Sequence, residues 1–301
     1  FKYLFAQIIT MKYNSNMAVN LGHLSEDKMK EILLLQERLQ NLNAQEDVRD
    51  SFLEYVKYIW PEFIEGEHHQ LFAEKLDRIA NGDIKRLIVN MPPRHTKSEF
   101  ASVYFPSWVM GLRPNLKIMQ TTHTAELSVR FGRKVRNLMA TEEYKSVFPD
   151  VGLRADSKSA GRWDTDQAGE YFAAGRGADL LIIDDPHSEQ DALSPSALEA
   201  AYEWYTSGPR QRLQPGGSIV VVMTRWSTLD LTAQLLKNQT EVHSDQWEVL
   251  ELPAMFEDTG NVLWPEYWQK EELESVKASL PVSKWEAQYM QNPTSEEGAI
   301  I

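Results

Sequence analysis

Residues 86–101, RLIVNMPPRHTKSEFA, restrict the fold more than any other stretch of the chain. Leu87-Ile88-Val89 is an apolar run of strand type, and Pro92-Pro93 break it. Lys97-Ser98 close the turn, and a helix-compatible stretch follows. Strand, loop and helix in this order are the plan of a phosphate-binding loop. Its backbone N–H groups and the helix N-terminus together favour an anion. In such a loop Lys97 reaches the β/γ-phosphates and the Ser98 hydroxyl ligates Mg²⁺. The regular spacing G-x-x-x-x-G-K-[ST] is not met, because Met91 and Thr96 stand where the glycines would be. On these residues alone, a surface turn that carries a lysine stays open.

The rest of the chain has to choose. With 301 residues and 42% hydrophobic content, it can build one large or two ordinary domains around a substantial core. Thirty-one basic and 44 acidic residues leave a net charge of −13. That excludes broad, charge-driven coating of nucleic acid, while a local basic channel is compatible with it. There is no cysteine, hence no disulfide, no cysteine-ligated zinc and no thiol catalysis. The opening FKYLFAQIIT is too short and too polar in its flanks to span a membrane or serve as a clear signal peptide. Starting at Phe1 and stopping at Ile301, the chain is expected to be a fragment.

Read in order, residues 1–25 carry no pattern. Three helices are expected next, over 25–45 with Ser25 as N-cap, over 47–59, and over 67–80 with Asn81-Gly82 as its stop. The first should bury Met29, Ile32, Leu33, Leu35 and Leu39. His68, His69 and Gln70 open the third, and the histidine pair reads as packing or capping rather than metal binding. A helix over 97–110 follows the loop, then a strand over 116–121. Thr124 caps a helix over 125–140 with a stripe at Leu127, Phe131, Val135 and Leu138. Its other face gathers Arg130, Arg133, Lys134 and Arg136, the densest basic cluster in an acidic protein. A solvated face is one reading of it, and contact with phosphate, from DNA or a neighbour's nucleotide, is the other. Residues 141–168 read as loop or short hairpin.

Leu180–Ile183 is again continuously apolar and ends in Asp184-Asp185. Such a run fits a strand buried on both faces in a parallel sheet, and its C-terminal end is where open α/β sheets bind ligands. Ser194-Pro195 starts a helix that Gly208 stops. Ser218–Met223 is a third buried strand, ending in Thr224-Arg225. Thr228 is expected to cap the next helix, 247–252 to form a strand, and 268–279 and 283–291 to be helical. Buried strands alternating with helices, with polar residues at the strand ends, argue for a mostly parallel, doubly wound α/β sheet. The divisions expected are a helical lead-in over 1–60, a P-loop core of RecA/ASCE-like type over 61–255, and a linker over 256–301. A Lys-Ser loop after one strand and an Asp pair after another are the two halves of an NTPase site.

At this point the chain resembles a known family, the large subunit of tailed-phage terminases, from about Glu46 to Ile301. MPPRHTKS resembles the family's deviant Walker A motif, LLIIDDP its Walker B and VVVMTRWS its coupling motif. LWPEYWQKEELESVKASL…WEAQYMQNPTSEEGAI is similar to the segment leading into the family's nuclease domain. The resemblance implies a motor that hydrolyses ATP with Mg²⁺ and drives double-stranded DNA into a procapsid. It also implies a homo-oligomeric ring, commonly a pentamer, docked on the portal protein and assisted by a small terminase subunit. The setting would be the cytoplasm of an infected bacterium, off the membrane. No acidic cluster of the nuclease can be placed, so no cutting is expected.

Within that resemblance Pro93, Arg94, His95, Thr96, Lys97 and Ser98 form the nucleotide loop, and Ser98 and Asp184 hold the metal. Asp185 or Glu189 orients the attacking water. Arg94 contacts the γ-phosphate in cis, and Arg176 resembles the arginine finger that acts in trans. Thr224 and Arg225 sense the γ-phosphate, and Gln70 or His69 contacts adenine. Two other readings stay open: a nucleotide-binding scaffold with little turnover, and a helicase-like DNA-dependent ATPase. A nucleoside-phosphate kinase would need a lid and a base-recognition segment that the sequence does not offer.

Overall fold

In the central strands of this protein neighbouring apolar residues point to opposite sides and both sides are covered. The computed structural model describes residues 26–157, 159–173, 175–240 and 243–294. By its contacts the chain divides after Glu46. The described part of the first unit is helical and belongs to α1 (Glu26–Asp50). Ser25 and the side chains of Met29 and Leu33 lie outside the described residues, and Ile32, Leu35 and Leu39 are half-buried.

The second unit, Asp47–Ile301, holds the sheet. Helix α2 (Phe52–Ile59), which the sequence grouped with the lead-in, sinks Phe52, Tyr55 and Val56 into the main core. Helix α3 (Glu67–Asn81) ends where Gly82 turns left-handed (φ +84) and its N–H reaches the Arg78 and Ile79 carbonyls. Strand β1 (Arg86–Asn90) then enters the loop. Helix α4 leaves it, with a first turn at Lys97–Glu99, a widened π-helical stretch at Phe100–Tyr104 and a return to α over Phe105–Leu112.

Next come β2 (Lys117–Thr122), α5 (Ala125–Met139) and α6 (Glu142–Val147). Strands β3 (Arg162–Asp164), β4 (Glu170–Phe172) and β5 (Ala178–Asp184) follow, then α7 (Pro195–Ser207). The unit finishes with β6 (Leu213–Met223), α8 (Leu231–Asn238), β7 (Glu248–Glu251), α9 (Lys270–Ser279) and α10 (Val282–Gln288).

Among the described residues the seven strands form one sheet in the order β3-β4-β2-β5-β6-β1-β7. Every pairing is parallel except the short β3–β4 hairpin. Leu87, Val89, Ile182, Val220 and Val222 face the core under α2, α3 and α4, while Ile88, Leu181, Ile183, Val221 and Met223 face α7 and α8. This two-sided burial is why the strands read as unbroken apolar runs. The fold is a mostly parallel α/β sheet flanked by helices, with β6 between the loop strand β1 and the Asp-pair strand β5. A separate small core of Ala254, Leu273 and Trp285 gathers the C-terminal helices.

Three details differ from the sequence reading. Helix α8 starts at Leu231 and is capped by Asp230 rather than Thr228. The Asp230 carboxylate accepts the N–H groups of Trp226, Ser227 and Ala233, more than a single hydroxyl could. The stripe of α5 is Ser128, Phe131, Gly132, Val135 and Met139, with Leu127 and Leu138 only half-buried. Within 141–168 lies α6, capped by Thr141 and anchored by Tyr144 and Val147.

Candidate active site

The C-terminal ends of β1, β5 and β6 meet at one edge of the sheet, and each delivers polar residues there. After Asn90 the chain turns through Met91–Thr96. Arg94 (φ +60) and Thr96 (φ +64) both take the left-handed backbone that glycine usually supplies. The turn brings Lys97 to the start of α4, where it is buried. Its Nζ lies 3.1 Å from Asp185 Oδ2.

Asp184 is buried at the end of β5. Ser98 Oγ donates to its Oδ1 at 3.0 Å, and Ser102 Oγ donates to its Oδ2 at 2.6 Å. Burial, and then the Asp185 charge beside it, push the Asp184 carboxyl well above the usual carboxylate range, against the pull of the Ser102, Lys97 and Ser98 contacts. Asp185 also has a left-handed backbone, φ +42. Its Oδ1 accepts the Thr224 N–H at 3.0 Å, and its N–H donates to the Val222 carbonyl at 2.9 Å. Thr224 Oγ1 donates in turn to the Met91 carbonyl at 3.2 Å, which ties the β6 end to the loop.

The donors around Asp184 are hydroxyl and carboxylate oxygens, the hard set that suits Mg²⁺. Among the described residues no group of three or more acidic, histidine or cysteine side chains could hold a metal by itself. One carboxylate and one hydroxyl fit an ion that takes its remaining ligands from phosphate and water, the usual arrangement for Mg²⁺.

A second layer lies beneath the loop. His69 Nδ1 accepts the Gly66 N–H at 2.9 Å, which leaves the ring proton on Nε2, 2.6 Å from Thr96 Oγ1. Thr96 Oγ1 donates to the His95 carbonyl at 2.6 Å. His95 Nδ1 lies 2.9 Å from the Pro93 carbonyl, and its ring stacks on Trp268. Burial depresses all three histidines, His68 to about 3, His69 to about 2 and His95 to about 4, so the rings are neutral.

Several of the expected residues are not brought to this centre. Gln70 is exposed and donates to Glu65, because one step along a helix turns the side chain away from the face that His69 uses. Glu189 is exposed and paired with Lys284 at 3.0 Å, so Asp185 is the second carboxylate beside Lys97. The Arg225 guanidinium is held by Asp230 at 2.9 Å and by Glu251 at 3.2 Å, while its neighbour Thr224 faces the loop. Arg94 is exposed at the loop tip.

Arg176 pairs with Glu170 at the start of β4. Glu170 is level with Lys117 on β2 and Asp184 with Thr122, which separates the two levels by about 17 Å at about 3.3 Å per residue. Arg130, Arg133 and Lys134 are exposed on α5 and Arg136 is half-buried. The sequence reading missed Ser102. Its position four residues after Ser98, on the same helix face, was the available signal.

No family model matches the chain, and no curated protein matches it. Solved structures similar to it include a mutant of the large terminase ATPase domain of Thermus phage P74-26, at 15% identity and TM-score 0.46, covering 72% of this chain and 93% of that one. The HK97 bacteriophage large terminase is similar at 10% identity and TM-score 0.48, covering 74% of this chain and 50% of that one. The large terminase of a thermophilic bacteriophage in complex with ADP is similar at 10% identity and TM-score 0.45, covering 72% and 52%. The chain thus spans about half the length of the last two. At these scores the likeness is loose.

Proposed function

We propose that this chain hydrolyses ATP at the edge where β1, β5 and β6 end. The observation that carries the reading is the convergence of Lys97, Ser98, Asp184, Asp185 and Thr224 from three strand ends, with Lys97 Nζ 3.1 Å from Asp185. Lys97 neutralises charge on the γ-phosphate, and the loop N–H groups of His95–Ser98 cradle the phosphates. Ser98 and Asp184 would hold Mg²⁺, which supplies charge neutralisation on the β/γ-oxygens when bound. Asp185 orients the attacking water and accepts its proton, and the Thr224 N–H fixes the direction of that carboxylate. Asp184, buried and accepting from Ser98 and Ser102, serves as the ligand.

The turnover is proposed to drive double-stranded DNA into a procapsid, as in a terminase large subunit. The motif resemblance and the exposed basic face of Arg130, Arg133 and Lys134 in a chain of net charge −13 support that reading. Arg176 pairs with Glu170, whose level lies about 17 Å along the sheet from that of Asp184, and this supports an action on phosphate in trans, in a homo-oligomeric ring. Portal protein and a small terminase subunit are the proposed partners, and the host cytoplasm the proposed site of action. Among the described residues no helix is long and apolar enough to cross a membrane.

The test is steady-state ATP hydrolysis with Mg²⁺, with and without duplex DNA. Lys97→Ala and Asp184→Ala each lower kcat by about 100-fold or more, and DNA raises turnover of the unmutated chain. Full turnover in either variant would place the chemistry elsewhere.

A further inference from the structure

The phosphate loop carries residues whose backbone it should not tolerate, and the structure contains what compensates. Thr96 is β-branched, precedes the key lysine and sits at φ +64. In that region Cβ crowds the following carbonyl, and a β-branched residue there is an outlier. Glycine at this place would take the same turn freely. What holds Thr96 is a directed chain of hydrogen bonds. The Gly66 N–H occupies His69 Nδ1, so His69 Nε2–H donates to Thr96 Oγ1, and the Thr96 hydroxyl donates to the His95 carbonyl. The His69 ring is itself fixed among Phe63, Phe100 and Trp264, with centroids 4.7, 5.0 and 4.9 Å away.

We infer that His69 is a positioning residue: through Thr96 it holds the loop in the left-handed turn that aims Lys97 and Ser98, doing with a side-chain clamp what the missing glycine would do with backbone freedom. This rests on the reading of the loop as a nucleotide site. His69 touches neither Lys97 nor the Asp pair, so its effect is on the loop's readiness to bind and passes through one residue. Gln70, on the next helical position, has no part in it.

The experiment compares MgADP binding, by isothermal titration calorimetry, across the unmutated chain, Thr96→Val, His69→Phe and the double variant His69→Phe/Thr96→Gly. Thr96→Val keeps shape and removes the hydroxyl, and His69→Phe keeps the ring packing and removes the donor. Each weakens binding about tenfold, the size of one left-handed strain released. The double variant recovers most of the loss relative to His69→Phe, because glycine needs no clamp. Its melting temperature stays as low as that of His69→Phe, because the Gly66 N–H has still lost its acceptor. Equal weakening without recovery overturns the inference, since a merely structural histidine cannot be rescued from position 96. If His69→Phe does not fold, Thr96→Val against Thr96→Gly decides alone: the glycine variant binds more tightly if the clamp acts on conformation, and equally weakly if it does not. Absence of MgADP binding in the unmutated chain would remove the nucleotide reading and this inference with it, whereas binding without rescue removes only the inference.

Discussion

Replacing His68 by phenylalanine gives a pH-dependent gain in stability whose size follows from burial. The His68 ring is fully buried, 3.7 Å in centroid distance from His69 and 5.9 Å from His95. Desolvation, and then the neighbouring His95, lower its pKa from 6.5 to about 3. A base depressed in this way stays unprotonated in the folded chain while the unfolded chain takes up a proton below pH about 6.5. The unfolded state binds more protons between pH 3 and 6.5, so stability falls as the pH falls through that window.

At pH 5 the unfolded side chain is 1.5 units below its pKa, which costs the folded state about 2 kcal/mol at about 1.36 kcal/mol per unit. At pH 7.5 the same cost is below about 0.1 kcal/mol. Phenylalanine does not titrate. Whatever its larger ring does to packing is independent of pH and cancels in the difference. The stability of His68→Phe minus that of the unmutated chain therefore rises by about 2 kcal/mol from pH 7.5 to pH 5, or about 4 °C in melting temperature for a unit of this size. The assay is thermal melting by circular dichroism across that range, or urea unfolding at both ends of it. A difference flat to within about 0.5 kcal/mol would refute the reasoning, because it requires a ring that protonates in the folded state.

Other outcomes are expected at the site. Ser102→Ala removes a 2.6 Å donor to Asp184, so the Mg²⁺ concentration for half-maximal turnover rises several-fold with kcat little changed, as seen in a metal titration. Charge reversal at Arg130 and Arg133 abolishes DNA stimulation of turnover while leaving the DNA-free rate, and the residual salt slope of DNA binding falls by about two phosphate contacts. Arg176→Ala lowers the rate only at protein concentrations where subunits associate, by about 10³-fold or more if it reaches a neighbour's phosphate; a dilution series of ATP hydrolysis reads this directly.

The sheet was legible because β1, β5 and β6 are buried on both faces over Leu87–Val89, Leu180–Ile183 and Ile219–Met223, and these stretches admit no polar residue until they end. For the same reason Asp184, Asp185 and Thr224 stood out, as polar groups directly after apolar runs, while Lys97-Ser98 stood out as the close of the turn after another such run. What sequence could not give was direction. Arg225 follows Thr224, and in extended chain the next side chain points the other way, to Asp230 and Glu251. Gln70 follows His69, and one helical step carries it to solvent. Helix α6 was hidden because EEYKSV is short and half charged, and only Tyr144 and Val147 hold it down. The loop was hard to read for another reason. Its turn depends on His69, 27 residues earlier in the chain, and no local pattern announces such a partner.

Over Ile219–Val222, strand β6 lies between the strand that feeds the loop and the strand that carries the Asp pair, hydrogen-bonded to both. The two halves of the site therefore cannot part or slide by moving strands, since either motion would break a fully buried ladder. One route out of the site runs through the short stretch beyond Met223. There Thr224 grips Met91 and Asp185, and the very next N–H, that of Arg225, is held by Gln291 at 3.1 Å. A rotation of one peptide plane at this joint would be felt at once 66 residues downstream. The rigid middle of the sheet is what makes its rim a usable lever for the C-terminal helices.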